Sequence, residues 1–302
     1  MIDIGGMLSL QGTLVLLVAL GIFFRRRVVS DQFQKEMTDL IMDLILPCNT
    51  LCAFLDDISI AMVRESAAAA GMSMLIQLLC CTMALILFNH LEEGKKSVAQ
   101  FGTTCSNAGF LGIPVIQGIF GEESILLGTI FLFPQRIVMW TVGVSYFTCT
   151  KQESILKKLL KTPCITVMLL GIALMVTGIR LPAAVEGAVR ALGSCNTGMS
   201  MFVIGMLMAN VTWKDFLDPK VLYYTGVRLL LIPLLAFLLA GIFRMGALAG
   251  SISVVLAAMP AAGSTGIMSA RYGADVKFAG SCITVSTILS MVTVPLWCMI
   301  LA

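Results

Sequence analysis

The chain has 302 residues, of which 58% are hydrophobic and 12% charged, and its mean hydropathy is +0.97. Soluble domains carry roughly 25% charged residues, so this composition excludes an ordinary soluble protein and predicts an integral membrane protein. A formal net charge of only +3 gives no reason to expect a nucleic-acid partner.

Ten apolar runs are long enough to cross a membrane as helices, which takes about 20 residues. Only helices and closed barrels satisfy every backbone polar group in lipid, and these runs are much longer than the roughly 10-residue strands of a barrel. The sequence therefore predicts an all-α, multi-pass protein of the cell membrane (inner or plasma membrane). The predicted spans are residues 8–24, 37–55, 66–89, 97–119, 124–148, 163–180, 184–209, 219–243, 247–270 and 276–301.

The basic residues of the loops indicate how the spans are oriented. The loops after spans 1, 3, 5, 7 and 9 hold 14 Lys and Arg residues, whereas the loops on the opposite side hold four. Lys and Arg are enriched in cytoplasmic loops, so the first set is predicted to face the cytoplasm. Both termini are then expected to lie outside.

The spans divide into two halves of five around a basic loop. We expect one transmembrane domain over residues 1–302, with a first repeat at 8–149, a cytoplasmic connecting loop at 150–162 and a second repeat at 163–302. Because each half holds an odd number of spans, the second repeat is predicted to be inverted in the membrane relative to the first.

Span 4 contains a stretch that a regular helix resists, Ser106-Asn107-Ala108-Gly109-Phe110-Leu111-Gly112-Ile113-Pro114. Relative to Ala, Gly costs a helix about 1 kcal/mol and Pro about 3 kcal/mol, and the proline also removes a backbone donor. We therefore expect the helix to break near Ile113 and Pro114. Span 9 holds the corresponding stretch Pro260-Ala261-Ala262-Gly263-Ser264-Thr265-Gly266, which has no proline at the expected crossing point.

Two broken helices from inverted repeats can cross within the membrane and form a binding site. A helix N-terminus carries about +0.5 charge and unpaired N–H groups, so two such ends in one cavity favour an anion. Pro114 suits the first turn of a new half-helix, and Gly109, Gly112 and Gly263 let the backbone approach a ligand. The alternative is that these Gly and Pro residues only kink the helices.

Three asparagines are predicted to lie at membrane depth. Asn107 belongs to the broken stretch, while Asn49 in span 2 and Asn196 in span 7 occupy similar motifs in corresponding spans. Each amide could bond a substrate carboxylate or the backbone freed at a crossover. The alternative is a hydrogen bond between helices, worth roughly 0.6–2 kcal/mol.

Charged residues inside spans are costly and are treated first as functional. Asp43 lies in span 2, four residues after Asp39, and is a candidate proton carrier; an ion pair with Arg228 of span 8 is the alternative. Arg136, near the middle of span 5, could attract an anionic substrate or bond carbonyls freed by a neighbouring broken helix.

The sequence gives little reason to expect a metal site or an enzyme. The chain has one histidine, His90, and no Cys-x-x-Cys spacing among its ten cysteines, so we expect reduced thiols and neither a metal nor another cofactor. A membrane hydrolase needs a nucleophile paired with a base, and no Gly-x-Ser-x-Gly motif is present. We therefore do not expect an enzyme.

Three motifs carry a family resemblance: Asn107-x-Gly109-Phe110-Leu111-Gly112-Ile113-Pro114 in span 4, Leu46-Pro47-x-Asn49 in span 2, and Pro260 followed by Ser269-Ala270-Arg271-Tyr272-Gly273 in span 9. Together they resemble the auxin efflux carrier family in its bacterial branch, over the whole length of the chain. The wider superfamily includes the bile acid:sodium symporters.

The resemblance implies a secondary transporter of organic anions, since bacterial members are linked to malate, malonate and similar carboxylates. It implies an elevator-like motion of a transport domain with crossed helices against a scaffold of spans 1, 2, 6 and 7, and a homodimer through spans 1, 2 and 7. It maps Asn107 and the crossing at Ile113-Pro114 onto the substrate site. Ser264 and Thr265 fall where plant members cross again, although the second proline common there is missing here.

The sequence thus predicts a secondary carrier for a mono- or dicarboxylate in the lipid bilayer. The carboxylate is expected at the half-helix N-termini, bonded by Asn107 and Asn49. Arg136 is expected to make the electrostatic potential there more positive. Coupling to protons through Asp43, coupling to sodium, and uniport stay open. A transporter-like sensor that binds the ligand without moving it, and a channel, are the alternatives.

Overall fold

The computed structural model describes residues 4–28, 30–52, 54–55, 60–147, 163–209 and 217–301. The secondary structure of these residues is helical, with no strand, which confirms the predicted all-α class. The predicted connecting loop at 150–162 lies outside the described residues.

The helices, numbered along the chain, are α1 (Ile4–Arg27), α2 (Asp31–Leu40), α3 (Leu46–Cys52), α4 (Ile60–Leu87), α5 (Glu93–Thr104), α6 (Ile113–Phe120), α7 (Glu123–Val138), α8 (Pro163–Thr177), α9 (Ala183–Ser194), α10 (Asn196–Met208), α11 (Pro219–Gly226), α12 (Ile232–Ile242), α13 (Ala247–Ala257), α14 (Ser264–Tyr272) and α15 (Val276–Leu301). Short π-helical turns occupy Ile41–Ile45, Ala108–Gly112, Met139–Gly143 and Val227–Leu231.

Several helical runs have the length and composition of membrane spans. Among the described residues, four are long and apolar enough to cross a membrane: Arg64–Leu87, Glu123–Gly143, Pro219–Ile242 and Val276–Leu301. Shorter apolar helices cover Ala108–Phe120, Thr166–Thr177 and Ala247–Ala257. These runs agree with a multi-pass membrane protein, whereas the count of ten spans, the inverted repeat and the orientation stay predictions.

Three of the π turns end directly before a helix whose second residue is a proline: Pro47, Pro114 and Pro233. A proline inside an α-helix lacks an N–H group, and its ring clashes with the carbonyl four residues earlier. A wider turn before the proline relieves this conflict, and the N–H of Ile113 accordingly bonds the carbonyl of Ala108, five residues back. Each proline is thereby accommodated within a continuous helical run.

The helices pack in two groups. In the first helix group (α1–α3 and α8–α10), α1 lies along α10, and α3 packs on both α8 and α9. In the second helix group (α4–α7 and α11–α15), α4 packs on α5, α7 and α13, and α15 packs on α11, α13 and α14. The two groups meet where α1 and α10 contact α6 and the π turn Ala108–Gly112.

The contact between α1 and α10 is so close that only glycine fits. A Cβ atom on Gly21 would collide with the carbonyl oxygen of Phe202 and lie 2.9 Å from the Cα atom of Gly205. A Cβ atom on Gly205 would collide in turn with the carbonyl oxygen of Val18. Small residues let helix backbones approach each other in lipid, where packing rather than the hydrophobic effect drives association.

We expect Gly21→Ala to lower the melting temperature of the detergent-purified protein, because overpacking a tight contact costs about 1–3 kcal/mol. The matched control is Gly12→Ala on the same helix, where nothing lies within 4 Å of the added Cβ atom. Equal melting temperatures for the two variants would contradict the close approach of α1 and α10.

Candidate functional site

The two broken helices cross at their non-helical residues. α5 ends at Thr104, and α13 ends at Ala257. Between the two chain segments, the N–H of Asn107 donates to the carbonyl of Pro260 (2.8 Å), and the N–H of Ala262 donates to the carbonyl of Cys105 (3.2 Å). Ser106 and Ala261 thus form an antiparallel bridge. Each break therefore provides hydrogen-bond partners for backbone groups of the other. We call the two paired segments, 105–107 and 260–262, the crossover.

The expected position of the first break was wrong. Ile113 and Pro114 lie buried inside a continuous helical run, and the chain breaks at Cys105–Asn107, several residues earlier. The physical reason is that the π turn Ala108–Gly112 accommodates Pro114, whereas the backbone groups freed at Cys105–Asn107 find partners on the other broken helix. Pro114 therefore does not form the crossing point.

Two side chains that the sequence analysis missed bond the crossover backbone. Gln135 of α7 donates its amide to the carbonyl of Ser106 (2.8 Å) and accepts from the Ser106 hydroxyl (3.0 Å). Ser286 of α15 accepts from the N–H of Ala261 (3.2 Å). In the sequence, each appears only as a polar residue in an apolar span. That pattern does not indicate which residue the side chain contacts.

Arg228 supplies the third support of the crossover. Its guanidinium is buried and donates to three carbonyl oxygens, those of Met259 (2.8 Å), Ala257 (3.0 Å) and Thr103 (3.2 Å). The alternative of an ion pair between Arg228 and Asp43 is therefore wrong, and Asp43 lies exposed on its π turn. It is Arg228, and not Arg136, that bonds the carbonyls freed at the breaks. Arg228 lies in the π turn Val227–Leu231, next to both breaks.

Arg136 and Asp43 lie away from these contacts. Arg136 is half-buried in the last turn of α7, and its guanidinium has no hydrogen-bond acceptor among the described residues. Asp43 is flanked by the exposed side chains of Leu40 and Leu44, so its carboxyl faces the surroundings of the protein rather than the core. Among the residues that the structure describes, neither side chain has a hydrogen bond to the crossover.

Unpaired N–H groups begin both second half-helices. On one side the amides of Ala108, Gly109 and Phe110 have no acceptor among the described residues, and on the other side the same holds for Gly263 and Ser264. The next amides along α14, Thr265 and Gly266, are paired with carbonyls three residues earlier. Both second half-helices thus begin with unpaired amides at the crossover, and an anion site there stays a prediction.

Polar side chains add to these amides. Asn107 begins the second half of its helix and is only 6% exposed, yet its side-chain amide has no partner among the described residues. The hydroxyl of Thr265, in the first turn of α14, is fully buried and also unpaired. Buried polar groups are normally hydrogen-bonded, so these two groups next to the crossover are available to bond a polar ligand.

The glycines of the motif differ in their surroundings. A Cβ atom on Gly112 would lie 2.7 Å from Cδ2 of Leu256 and 3.1 Å from Cγ of Met259, so this glycine allows the two broken helices to pack. At Gly109 the nearest atoms, on Leu46 and Leu132, are 3.8 and 4.0 Å away. An added Cβ atom on Gly109 would therefore fit at ordinary van der Waals distance, whereas one on Gly112 would collide with its neighbours.

The other two asparagines bond the protein itself. Asn49 is buried and donates its amide to the carbonyl of Gly193 (3.3 Å), which ties α3 to the end of α9. Asn196 is buried and accepts from the hydroxyl of Ser200 (3.2 Å), while its amide nitrogen has no partner among the described residues. The bond of Asn49 is the helix–helix contact considered as the alternative, and a substrate contact for Asn49 stays a prediction.

A small cavity lies next to the crossover, where the two helix groups meet. Its volume is about 20 Å³, and its walls are mostly apolar. The lining residues are Val15, Val18, Leu111, Val115, Met201, Ile204, Thr287, Ser290, Met291 and Val294. This volume holds about one water molecule, so the cavity is too small for an organic acid.

The described residues show no metal-binding cluster, since no three His, Cys, Asp or Glu side chains come together in that part of the chain. The cysteines that the structure describes are free thiols.

The chain is similar to known proteins over most of its length. A family model described as "Membrane transport protein" matches residues 13–154 and 147–298. An uncharacterized transporter of Methanothermobacter thermautotrophicus is 28% identical over 214 residues, 70% of this chain and 70% of the relative. The uncharacterized transporter MJ1031 of Methanocaldococcus jannaschii is 25% identical over 303 residues, 94% of this chain and 95% of the relative. The uncharacterized transporter YfdV of Escherichia coli K12 is 22% identical over 304 residues, 94% of both chains.

These matches agree with the apolar helices and with the motifs at the crossover. The family model covers nearly the whole chain, and the relatives are transporters of archaea and bacteria. The protein is therefore a multi-pass membrane transporter rather than an enzyme, and it belongs to the membrane transport protein family, that of the auxin efflux carriers, in its bacterial branch.

Proposed function

We propose that the protein is a secondary active transporter of a small organic anion, a mono- or dicarboxylate. The observation that carries this proposal is the set of unpaired amides at the crossover, on Ala108–Phe110 and on Gly263 and Ser264. Two helix N-termini with about +0.5 charge each favour an anion between them. A carboxylate has two oxygens that can accept from both ends at once.

Side chains around the amides complete the proposed site. Asn107 and Thr265 have unpaired polar groups, so a substrate can bond them without displacing an internal partner. Arg136 adds positive potential from α7. Asn49 contacts the substrate in the proposal when α3 approaches the crossover during transport.

The proposed mechanism is an elevator-like motion with alternating access. The second helix group, which contains the crossover, moves as the transport domain, and the first helix group is the scaffold. Support comes from the mostly apolar boundary between α1 and α10 on one side and α6 and α15 on the other. Apolar surfaces can slide without breaking hydrogen bonds, so such a boundary suits rigid-body motion.

The proposed topology has ten spans in two inverted repeats, with basic loops in the cytoplasm. It is supported by the positions of the two breaks, which fall in the fourth predicted span of each half. The proposed homodimer uses spans 1, 2 and 7. The exposed apolar side chains of Leu16, Leu20 and Phe23 on α1 are available for such an interface.

The substrate class is tested by uptake into proteoliposomes. Labelled acetate, malate and malonate are supplied in turn, and unlabelled mono- and dicarboxylates compete. Saturable uptake of one acid, with competition by acids of the same charge, is the expected result. Saturable binding without uptake would contradict transport and identify a sensor, and flux that does not saturate would identify a channel.

Proton coupling through Asp43 is tested by Asp43→Asn, since a side-chain amide does not ionise at physiological pH. We expect this variant to lose the pH dependence of uptake that the unmodified protein shows. The matched control is Asp39→Asn, which removes another exposed carboxyl four residues earlier and should keep the pH dependence. If Asp43→Asn also keeps it, the coupling site lies elsewhere.

A further inference from the structure

Arg228 is a buried charge held almost entirely by backbone carbonyls. It is 3% exposed, and its three guanidinium nitrogens each donate to a different carbonyl: Nε to Met259 (2.8 Å), Nη1 to Thr103 (3.2 Å) and Nη2 to Ala257 (3.0 Å). No carboxylate among the described residues lies within ion-pair distance of it. Its charge is therefore balanced only by dipoles.

The three carbonyls share one structural position. Thr103 is in the last turn of α5, and Ala257 and Met259 lie at and just beyond the end of α13, so they are the C-terminal ends of the two first half-helices. A helix C-terminus carries about −0.5 charge. Arg228 thus neutralises the two negative ends of the crossover, opposite the unpaired amides that begin the two second halves.

Local structure holds the guanidinium in this position. Arg228 lies in the π turn Val227–Leu231, which precedes Pro233. The indole N–H of Trp297 donates to the carbonyl of Leu229 in the same turn (3.0 Å). The turn is therefore fixed both by the proline that follows it and by α15.

Carbonyls at the ends of broken helices are the ligands that many secondary transporters use for a coupling sodium ion. We propose that Arg228 is a tethered cation that takes the position of such an ion, so that transport of the anion is independent of sodium. This inference rests on the proposed function, because it concerns the cation dependence of the same crossover.

The tethered cation also has a consequence for the anion site. A buried charge without a counter-ion is unfavourable in a low-dielectric region. An anion at the unpaired amides of the crossover supplies that counter-charge from the other side of the two breaks. Arg228 is in this role a positioning residue, which keeps the crossover folded and positively charged without touching the substrate.

The test compares Arg228→Ala with the unmodified protein in sodium, choline and low concentrations of guanidinium chloride at constant ionic strength. The unmodified protein is expected to have the same melting temperature in sodium and choline. Arg228→Ala is expected to melt at a lower temperature and to recover most of the loss, saturably, in sodium or guanidinium but not in choline. The control Gln100→Ala also removes a buried bond to a carbonyl, that of Ala84, and should show no recovery in any salt.

Two results would overturn the tethered cation. One is a saturable rise of the melting temperature or of uptake with sodium in the unmodified protein. The other is a pair of results. No cation raises the melting temperature of Arg228→Ala, or this variant does not fold, and Arg228→Lys, which keeps the charge, is destabilised to the same extent. The melting-temperature measurements need no substrate, so they test the tethered cation even if no organic acid is transported. A failure of uptake alone counts against the proposed function only.

Discussion

Replacing Asn107 with alanine is expected to weaken binding of the transported anion by roughly 10- to 150-fold, with little change in the melting temperature. A hydrogen bond to a charged group contributes about 1.5–3 kcal/mol, which corresponds to that range of affinity. Stability should be kept because the Asn107 amide has no partner among the described residues that the substitution would leave unpaired. The measurement is substrate-induced thermal shift together with initial rates of uptake.

Asn89→Ala is the matched control for this prediction. Asn89 is exposed beyond the end of α4 and donates only to the carbonyl of Leu85 (2.6 Å), so affinity should not change. A folded Asn107→Ala variant that binds the anion as tightly as the unmodified protein would place the substrate away from the crossover.

Replacing Gln135 with leucine is expected to cause a large loss of stability. The side chain both donates to the carbonyl of Ser106 and accepts from its hydroxyl, and all of these groups are buried. Leucine leaves two polar groups without a partner at the crossover, and each such group costs about 1–3 kcal/mol. Thermal unfolding in detergent measures the loss.

The control for Gln135 is Gln117→Leu. Gln117 donates to Glu122 in a solvent-exposed hydrogen bond, so the free energy of unfolding should change by no more than about 0.5 kcal/mol. Equal stability of the Gln135 and Gln117 variants would show that the side chain of Gln135 does not support the break in span 4.

Composition and periodicity were enough to predict the helical class, because a membrane leaves the chain few other structures. The two stretches that cross were also predicted, since Gly, Asn and Pro in an apolar run are unfavourable in a regular helix. The position of the first break was not. Pro114 is the strongest helix breaker in the stretch, but the π turn before it removes the clash, and the break falls where Asn107 and Pro260 can pair.

The roles of single polar residues were harder to predict than the crossing. Arg136 and Arg228 both lie inside predicted spans. The position of a residue along its span does not indicate which of them faces the crossover. The direction of Arg228 depends on a π turn, which shifts every following side chain around the helix axis. Gln135 and Ser286 could not be separated from other polar residues of the spans, because their partners are distant in the sequence.

The central claim is that unpaired amides and Asn107 at the crossover bind an organic anion that is then carried across the membrane. Transient currents on proteoliposomes of the purified protein test it most directly, with a panel of mono- and dicarboxylates, with and without a pH gradient. A saturable current for one acid that is lost in Asn107→Ala and kept in Asn89→Ala is the expected result. A current of equal size in Asn107→Ala, or neither current nor labelled uptake for any acid that the protein binds, would contradict the claim.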